Sequence, residues 1–224
     1  MKRVLLSWST GKDSAWALHV LRKDPTVQVV GLLTSVNAAA DRVSMHGVRR
    51  ELADAQAREL GLPLVTVDLP SPCTNEEWES ATLRALASAR AEGVTHLASG
   101  DLFLEDVREY RARIASRAGL ESMFPIWSSP AETRALAHTM VKAGVRAIIT
   151  CVDTQQLDAS FLGRTFYADL LSDLPPSVDP CAERGEFHTF CFAGPAFARP
   201  IEVRTGRIEL TERFHFIDVE PVYL

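Results

Sequence analysis

Residues 4–18, VLLSWSTGKDSAWAL, decide how this chain is read. An apolar run stops at Ser9-Thr10-Gly11-Lys12-Asp13-Ser14, and apolar residues then resume at helical spacing through Ala15, Leu18 and Leu21. The pattern predicts a strand, a short loop and a helix start. The first N–H groups of a helix lack intrahelical partners, and the helix dipole adds partial positive charge there, so the junction suits an anion. Gly11 permits close backbone approach, Lys12 brings a full positive charge, and Ser9, Thr10 and Ser14 bring hydroxyls. Asp13 would repel a phosphate unless it caps the helix or holds a divalent cation against it. A helix capped by Asp13 or Ser9 beside a solvated Lys12 is the plain alternative. Two common phosphate loops are excluded. G-x-x-x-x-G-K-[ST] needs Gly at 6 and Ser or Thr at 13, where the chain has Leu6 and Asp13, and G-x-G-x-x-G does not occur.

Outward from this junction, strand and helix signals alternate. RVLLSW, VQVVGLLTS, LPLVTVDL, VTHLASGD and VRAIITCVD read as five strands. DSAWALHVLRK, VRRELADAQAREL closing at Gly61, EEWESATLRALASARAEG capped by Asn75, EDVREYRARIASRAG and AETRALAHTMVKAG read as helices. Strands such as VVGLL and AIITCV lack polar alternation, as expected of a parallel sheet covered on both faces. The expected fold is therefore α/β, a Rossmann-like parallel sheet with helices on both faces. After residue 160 the texture changes to one helix, FLGRTFYADLLSDL, an irregular stretch, and hairpin-like alternation in IEVRTGRIELTERFHFIDVEPVYL. The expected division is a domain over 1–127 and a smaller mixed α+β region over 128–224.

The 224 residues carry a net charge of −5, which argues against a general nucleic-acid-binding surface. No apolar stretch reaches membrane-spanning length, and the opening apolar run is too short for a signal peptide, so the expectation is a cytoplasmic protein. Cys73, Cys151, Cys181 and Cys191 show no C-x-x-C spacing, which disfavours structural zinc and reads as ordinary thiols.

STGKDS resembles the pyrophosphate loop S-G-G-x-D-S of the N-type ATP pyrophosphatases, with Thr10 in place of the first Gly. GDLFLEDVREYRARI and DPCAERGEFHTFCFAGPAF resemble the two internal signatures of the diphthine–ammonia ligase family within that superfamily. The second usually reads D-P-C-G-E-N-G-E-F-H-T, and here Ala182 and Arg184 replace the Gly and the Asn. The similarity spans essentially the whole chain. It implies a HUP-type domain, ATP with Mg²⁺, adenylation of a carboxylate with release of pyrophosphate, and amide formation with ammonia. The implied acceptor is diphthine on a translation elongation factor in an archaeal or eukaryotic chain, and another carboxylate otherwise.

On that resemblance Ser9 to Ser14 would cradle the phosphates, Lys12 would neutralise developing charge, and Asp13 and Asp101 would hold the metal. Leu33, Thr34, Ser35 and Gly100, at the carboxyl ends of their strands, would complete the nucleotide seat, where open parallel sheets bind ligands. Arg108 and Arg111 lie three apart on one helix with Glu105 three before Arg108; they could steer an anion or form a surface ion-pair ladder. Glu183, Glu186 and His188 could take a proton from ammonium or could be a solvated acidic turn. His46 could reach the cleft or be structural. Cys181 invites a nucleophile reading that an adenylate route does not need. The rivals are a tRNA-modifying enzyme using the same loop and a non-catalytic adenine-nucleotide-binding protein. The C-terminal hairpin leaves a homodimer open.

Overall fold

The computed structural model describes residues 1–222. Its centre is β1 (Lys2–Ser7), whose Val4, Leu5 and Leu6 are almost wholly inaccessible. Both edges of β1 are paired in parallel, one to β2 (Val27–Asn37) and the other to β5 (His96–Ala98). β4 (Leu64–Leu69) extends the sheet beyond β2, and β6 (Glu121–Met123) extends it beyond β5. The parallel order is β4-β2-β1-β5-β6. A two-residue strand, β3 (Arg42–Val43), runs antiparallel to the last residues of β2, on the edge that β1 has vacated. Because residues of a strand face alternate sides, Val4 and Leu6 join one core cluster while Leu5 joins another.

Helices cover both faces. α1 (Lys12–Leu21) buries Ala15, Trp16, Leu18 and Leu21 on the Val4–Leu6 side. α2 (Arg50–Leu60) places Ala57 and Leu60 there as well, and Gly61 closes it at φ 65°, the left-handed conformation that glycine adopts without penalty. On the Leu5 side α3 (Asn75–Ala91) and α4 (Glu105–Arg117) pack Leu86, Ala89, Ile114 and Ala115 against Leu33, Val67 and Leu69. The α3 cap is Thr74 rather than Asn75. Its hydroxyl accepts from Glu77 N, and the Glu77 carboxylate accepts from Thr74 N, so two otherwise unpaired donors are satisfied reciprocally.

After α5 (Thr133–Lys142) the chain builds a second, antiparallel sheet in the order β8-β7-β10-β9, from β7 (Arg146–Asp153), β8 (Phe187–Ala193), β9 (Val203–Leu210) and β10 (Phe214–Pro221). This corrects the reading of VRAIITCVD as a fifth parallel strand. That place belongs to β6, whose three residues are too few to show a period. The expected helix over 161–174 is also replaced. Ala159–Phe161 makes one 3₁₀ turn, Gly163 turns at φ 78°, Thr165 bridges to Ile148, and only α6 (Ala168–Asp173) is α-helical. Strand β7 captures the backbone of this segment: Gly163 N donates to Ile149 O and Phe166 N to Ala147 O. The β9–β10 hairpin forms as expected, with Tyr223 and Leu224 outside the described residues.

The two sheets share a core. Ala147, Ile149, Val152, Phe187 and Cys191 of the second pack in one cluster with Val4, Leu6, Trp8 and α1 of the first. Strand β8 is thereby brought against the amino end of α1.

Candidate active site

The strand order reverses beside β1: β2 and β4 continue the sheet to one side, β5 and β6 to the other. At such a reversal the connections leaving β1 and β5 diverge and leave a crevice at their carboxyl ends. Ser9, Lys12, Asp13 and Ser14 line it from one connection and Ser99, Gly100 and Asp101 from the other. The two connections touch. A Cβ on Gly100 would lie 3.1 Å from the carbonyl carbon and oxygen of Asp13 and 3.2 Å from Ser14 N. The absent side chain is what lets β5 approach the first turn of α1.

The capping alternative is not what the loop adopts. Gly11 occupies the N-cap of α1 with no side-chain cap. Lys12 N instead donates to Thr189 Oγ1 of β8 at 3.2 Å. Gly11 N donates to Ser9 Oγ at 3.4 Å, and Ser14 Oγ donates to Gly11 O at 3.0 Å. Thr10 sits at φ 68°, a left-handed conformation that is costly for a β-branched residue and explains why a glycine suits this position. Ala182, the other substituted glycine, sits at φ 58°.

Lys12 is not solvated. Its side chain is 2% exposed, and its ammonium lies 5.4 and 5.5 Å from the ring centres of Phe166 and Phe187. It donates to Asp13 Oδ2 at 2.9 Å and to the carbonyl of Cys181. Burial works to discharge it, but Asp13, the Cys181 thiol and Asp179 outweigh burial and hold the lysine above its ordinary value. A lysine held in its charged form is therefore fixed where the Ser9–Ser14 loop meets the late signature.

Asp13, Asp101 and Glu183 line one chamber of about 190 Å³ with Lys12, Arg111 and His188. Burial raises all three acids, and Asp13 and Asp101 push Glu183 further, to about 7. Glu183 accepts from Leu102 N at 2.7 Å, which ties the late loop to the connection between β5 and α4. Arg111 stands 3.5 Å from Asp101, yet Arg111 Nε, Asp101 Oδ2 and Asp13 Oδ1 are all buried without a hydrogen-bond partner. Buried polar atoms are almost always paired, so this group points to a polar occupant. No group of three or more His, Cys, Asp or Glu gathers as a metal cage among the described residues. Asp13 Oδ1, and Asp101 Oδ2 beside Arg111, are hard oxygens of the kind that a divalent cation would take together with phosphate and water.

A cleft of about 770 Å³ adjoins the chamber, and Ser7, Ser9, His46, Ser99 and Arg111 line both. Its far wall has Leu33–Ser35 of β2, Val67 and Leu69 of β4, and Trp78 and Tyr110, whose rings lie 5.9 Å apart. Leu33–Ser35 lie within β2, which runs two residues further, to Asn37. The carbonyls of Leu33 and Ser35 already accept from Trp8 N and Ser44 N, whereas the buried Thr34 hydroxyl has no partner. Among the described residues, none of the helices is long and apolar enough to cross a membrane.

His46 and His188 meet with ring centres 4.6 Å apart and ring planes tilted by 52°. Burial, the neighbouring imidazole and Lys12 take His46 well below its ordinary value, and burial and Lys12 take His188 to about 4, so both are neutral near pH 7. Other expected site residues lie apart. Arg108 rests over Trp127 at 4.5 Å and pairs with Glu105 at 3.8 Å, and neither lines the chamber or the cleft. The two arginines three apart on α4 therefore separate, Arg111 into the crevice and Arg108 onto an aromatic pair. Glu186 turns its carboxylate back to accept from Asp179 N and Arg184 N, which shapes the loop, so that of the two glutamates only Glu183 lines the chamber. Burial raises the Cys151 and Cys191 thiols to about 12 and the Cys181 thiol further, which leaves none of them a ready nucleophile.

Two contributors escaped the sequence reading. Thr189 was visible as part of the late signature. Gln56 was visible only as a polar residue in the apolar stripe Leu52-Ala53-Gln56-Ala57-Leu60 of α2.

A search of curated proteins returns no match to the chain. Residues 1–122 match the diphthamide synthase N-terminal domain, and residues 132–223 match the diphthamide synthase C-terminal domain. With a matched sequence on either side of the crevice and the two signatures meeting inside it, the chain belongs to the diphthamide synthase family.

Proposed function

We propose that this chain is an ATP-dependent ligase that adenylates a carboxylate and converts it to an amide with ammonia. The observation that carries the reading is the joining of a nucleoside-sized cleft to a small chamber that holds a buried lysine, the hydroxyls of Ser9 and Ser14 and three acids. The base and ribose would occupy the cleft, between β2 and the Trp78–Tyr110 pair. The triphosphate would run past Ser9 toward the amino end of α1, where the helix dipole and the hydroxyls of Ser9 and Ser14 favour negative charge. The acceptor carboxylate oxygen attacks the α-phosphorus, and the bond to the pyrophosphate leaving group breaks. Lys12, already charged and fixed, stabilises the leaving oxygen with little reorganisation. Asp13 and Asp101 would hold Mg²⁺, which supplies charge neutralisation on the phosphates. Ammonia then displaces AMP from the acyl carbon. Glu183, near 7, is poised to take the proton that the nitrogen must lose. The acceptor by family is a diphthine-like carboxylate on an elongation factor.

The test is to incubate the protein with ATP, Mg²⁺ and ammonium, with and without candidate carboxylates, following pyrophosphate and AMP. Pyrophosphate release that depends on the carboxylate is expected. Dependence on tRNA and a sulfur donor would replace this reading with a thiolation enzyme. Nucleotide binding without pyrophosphate under every condition would leave a sensor.

A further inference from the structure

Gln56 is wholly buried on α2 and uses its amide completely. Its Oε1 accepts from Trp8 Nε1 at 2.7 Å, and its Nε2 donates to Thr10 O at 2.9 Å and to Cys191 O at 2.6 Å. Thr10 O also accepts from Cys191 N at 2.8 Å. One side chain thus ties together the residue leaving β1, the second residue of the phosphate loop and the middle of β8. The residue it grips is the one with a β-branched side chain in the left-handed region. The Thr10 hydroxyl contributes nothing to holding that shape, since its oxygen is buried without a partner. What opposes relaxation of Thr10 is the pair of donors on its carbonyl, one from Gln56 and one from β8.

We infer that Gln56 is a positioning residue for the phosphate loop, holding a threonine in a backbone conformation suited to glycine. A buried amide with three partners is costly to replace by any group that cannot repeat them. Its link to Cys191 also makes the loop depend on the C-terminal sheet, as does the Thr189 hydroxyl that caps Lys12 N. The effect on ATP rests on the proposed reading of the loop as the phosphate seat; the effect on loop shape does not.

The test measures both. In nucleotide-free protein, Gln56→Met should raise hydrogen exchange of the amides of residues 10–14 by at least about tenfold while α3 is unchanged, because the opening is local. Adding Thr10→Gly to Gln56→Met should bring that exchange back toward wild type, since glycine adopts the same φ without help. By calorimetry Gln56→Met should weaken ATP binding by about tenfold or more and leave adenosine binding within about twofold, because adenosine lacks the group that the loop would hold. Should Gln56→Met not fold, Gln56→Glu keeps the acceptor for Trp8 and the side-chain volume and replaces the amide donors. Loop exchange that stays at the wild-type rate, or that rises equally throughout the molecule, overturns the inference, as does a double variant no better than Gln56→Met. Wild-type protein that binds neither ATP nor adenosine overturns the ligase reading while the exchange comparison still decides the role of Gln56.

Discussion

Gly100→Ala tests the geometry on which the crevice depends. Gly100 does not have a positive φ, so its need for glycine is spatial. The new Cβ would meet Asp13 C and O at 3.1 Å and Ser14 N at 3.2 Å, all backbone atoms in the first turn of α1. No side chain can swing away, so either the end of β5 or the start of α1 must shift by a few tenths of an ångström. Overpacking of this kind costs about 1–3 kcal/mol. At roughly 2–4 °C per kcal/mol for a chain of this size, the melting temperature should fall by roughly 2–12 °C. The displaced segment carries Asp13 and Ser14, so ATP affinity should fall with stability. Gly61→Ala provides the contrast. It has φ 65° and nothing within 4 Å of the added methyl, so it should cost about 1 kcal/mol from backbone conformation alone and leave ATP affinity unchanged. Urea unfolding and ATP titration of both variants decide the matter. If Gly100→Ala matched wild type in both, the close approach of β5 to the loop would be wrong.

Three further outcomes are expected. Lys12→Met, which keeps the volume of a side chain only 2% exposed, should lower pyrophosphate release at least about tenfold, the order of one lost transition-state charge contact, and an unchanged turnover removes Lys12 from the chemistry. Glu183 has its folded pKa raised from 4.5 to about 7, so the folded state holds a proton that the unfolded chain has lost, and stability falls as pH rises through that window. Only the span from pH 5.5 to about 7 contributes, so, allowing for its partial solvent access, urea titrations at pH 5.5 and pH 8 should show Glu183→Gln losing about 1–2 kcal/mol less than wild type between them; equal losses refute the assignment. Ala182→Gly should stabilise the protein by up to about 1 kcal/mol in thermal unfolding, because it relieves φ 58° at the cost of some unfolded-chain entropy, and destabilisation would contradict the strained geometry.

Much of this protein is decided within short windows of sequence. A strand, a small-residue loop and a helix start are local events, set by apolar period and by where chain-breaking residues fall, so β1, the loop, α1 and the helices on both faces were legible directly. The signature around Asp179 to Thr189 was legible as chemistry for the same reason, since acids, glycine and histidine were adjacent in the chain. Partnership across the chain was not legible. Strand β7 has the apolar run of a buried parallel strand, yet it is antiparallel because its neighbours are β8 and β10, and no local pattern records which edge a strand will meet. Arg108 and Arg111 share a helix and a spacing, and only packing sends one to Asp101 and the other onto Trp127. Glu186 reads as an equal of Glu183 until the fold spends its carboxylate on two loop amides. Gln56 acquires its meaning only when Trp8, Thr10 and Cys191 arrive around it, because hydrogen bonds between residues 46 and 135 positions apart depend on the path of the whole backbone. The sequence alone determined which chemical groups were available and, where the apolar period was clear, which segments would be helix or strand; the tertiary structure decided the conformation of residues 161–167, the place of β6 and which polar groups face the crevice, since burial and pairing are properties of neighbours that only the folded chain supplies.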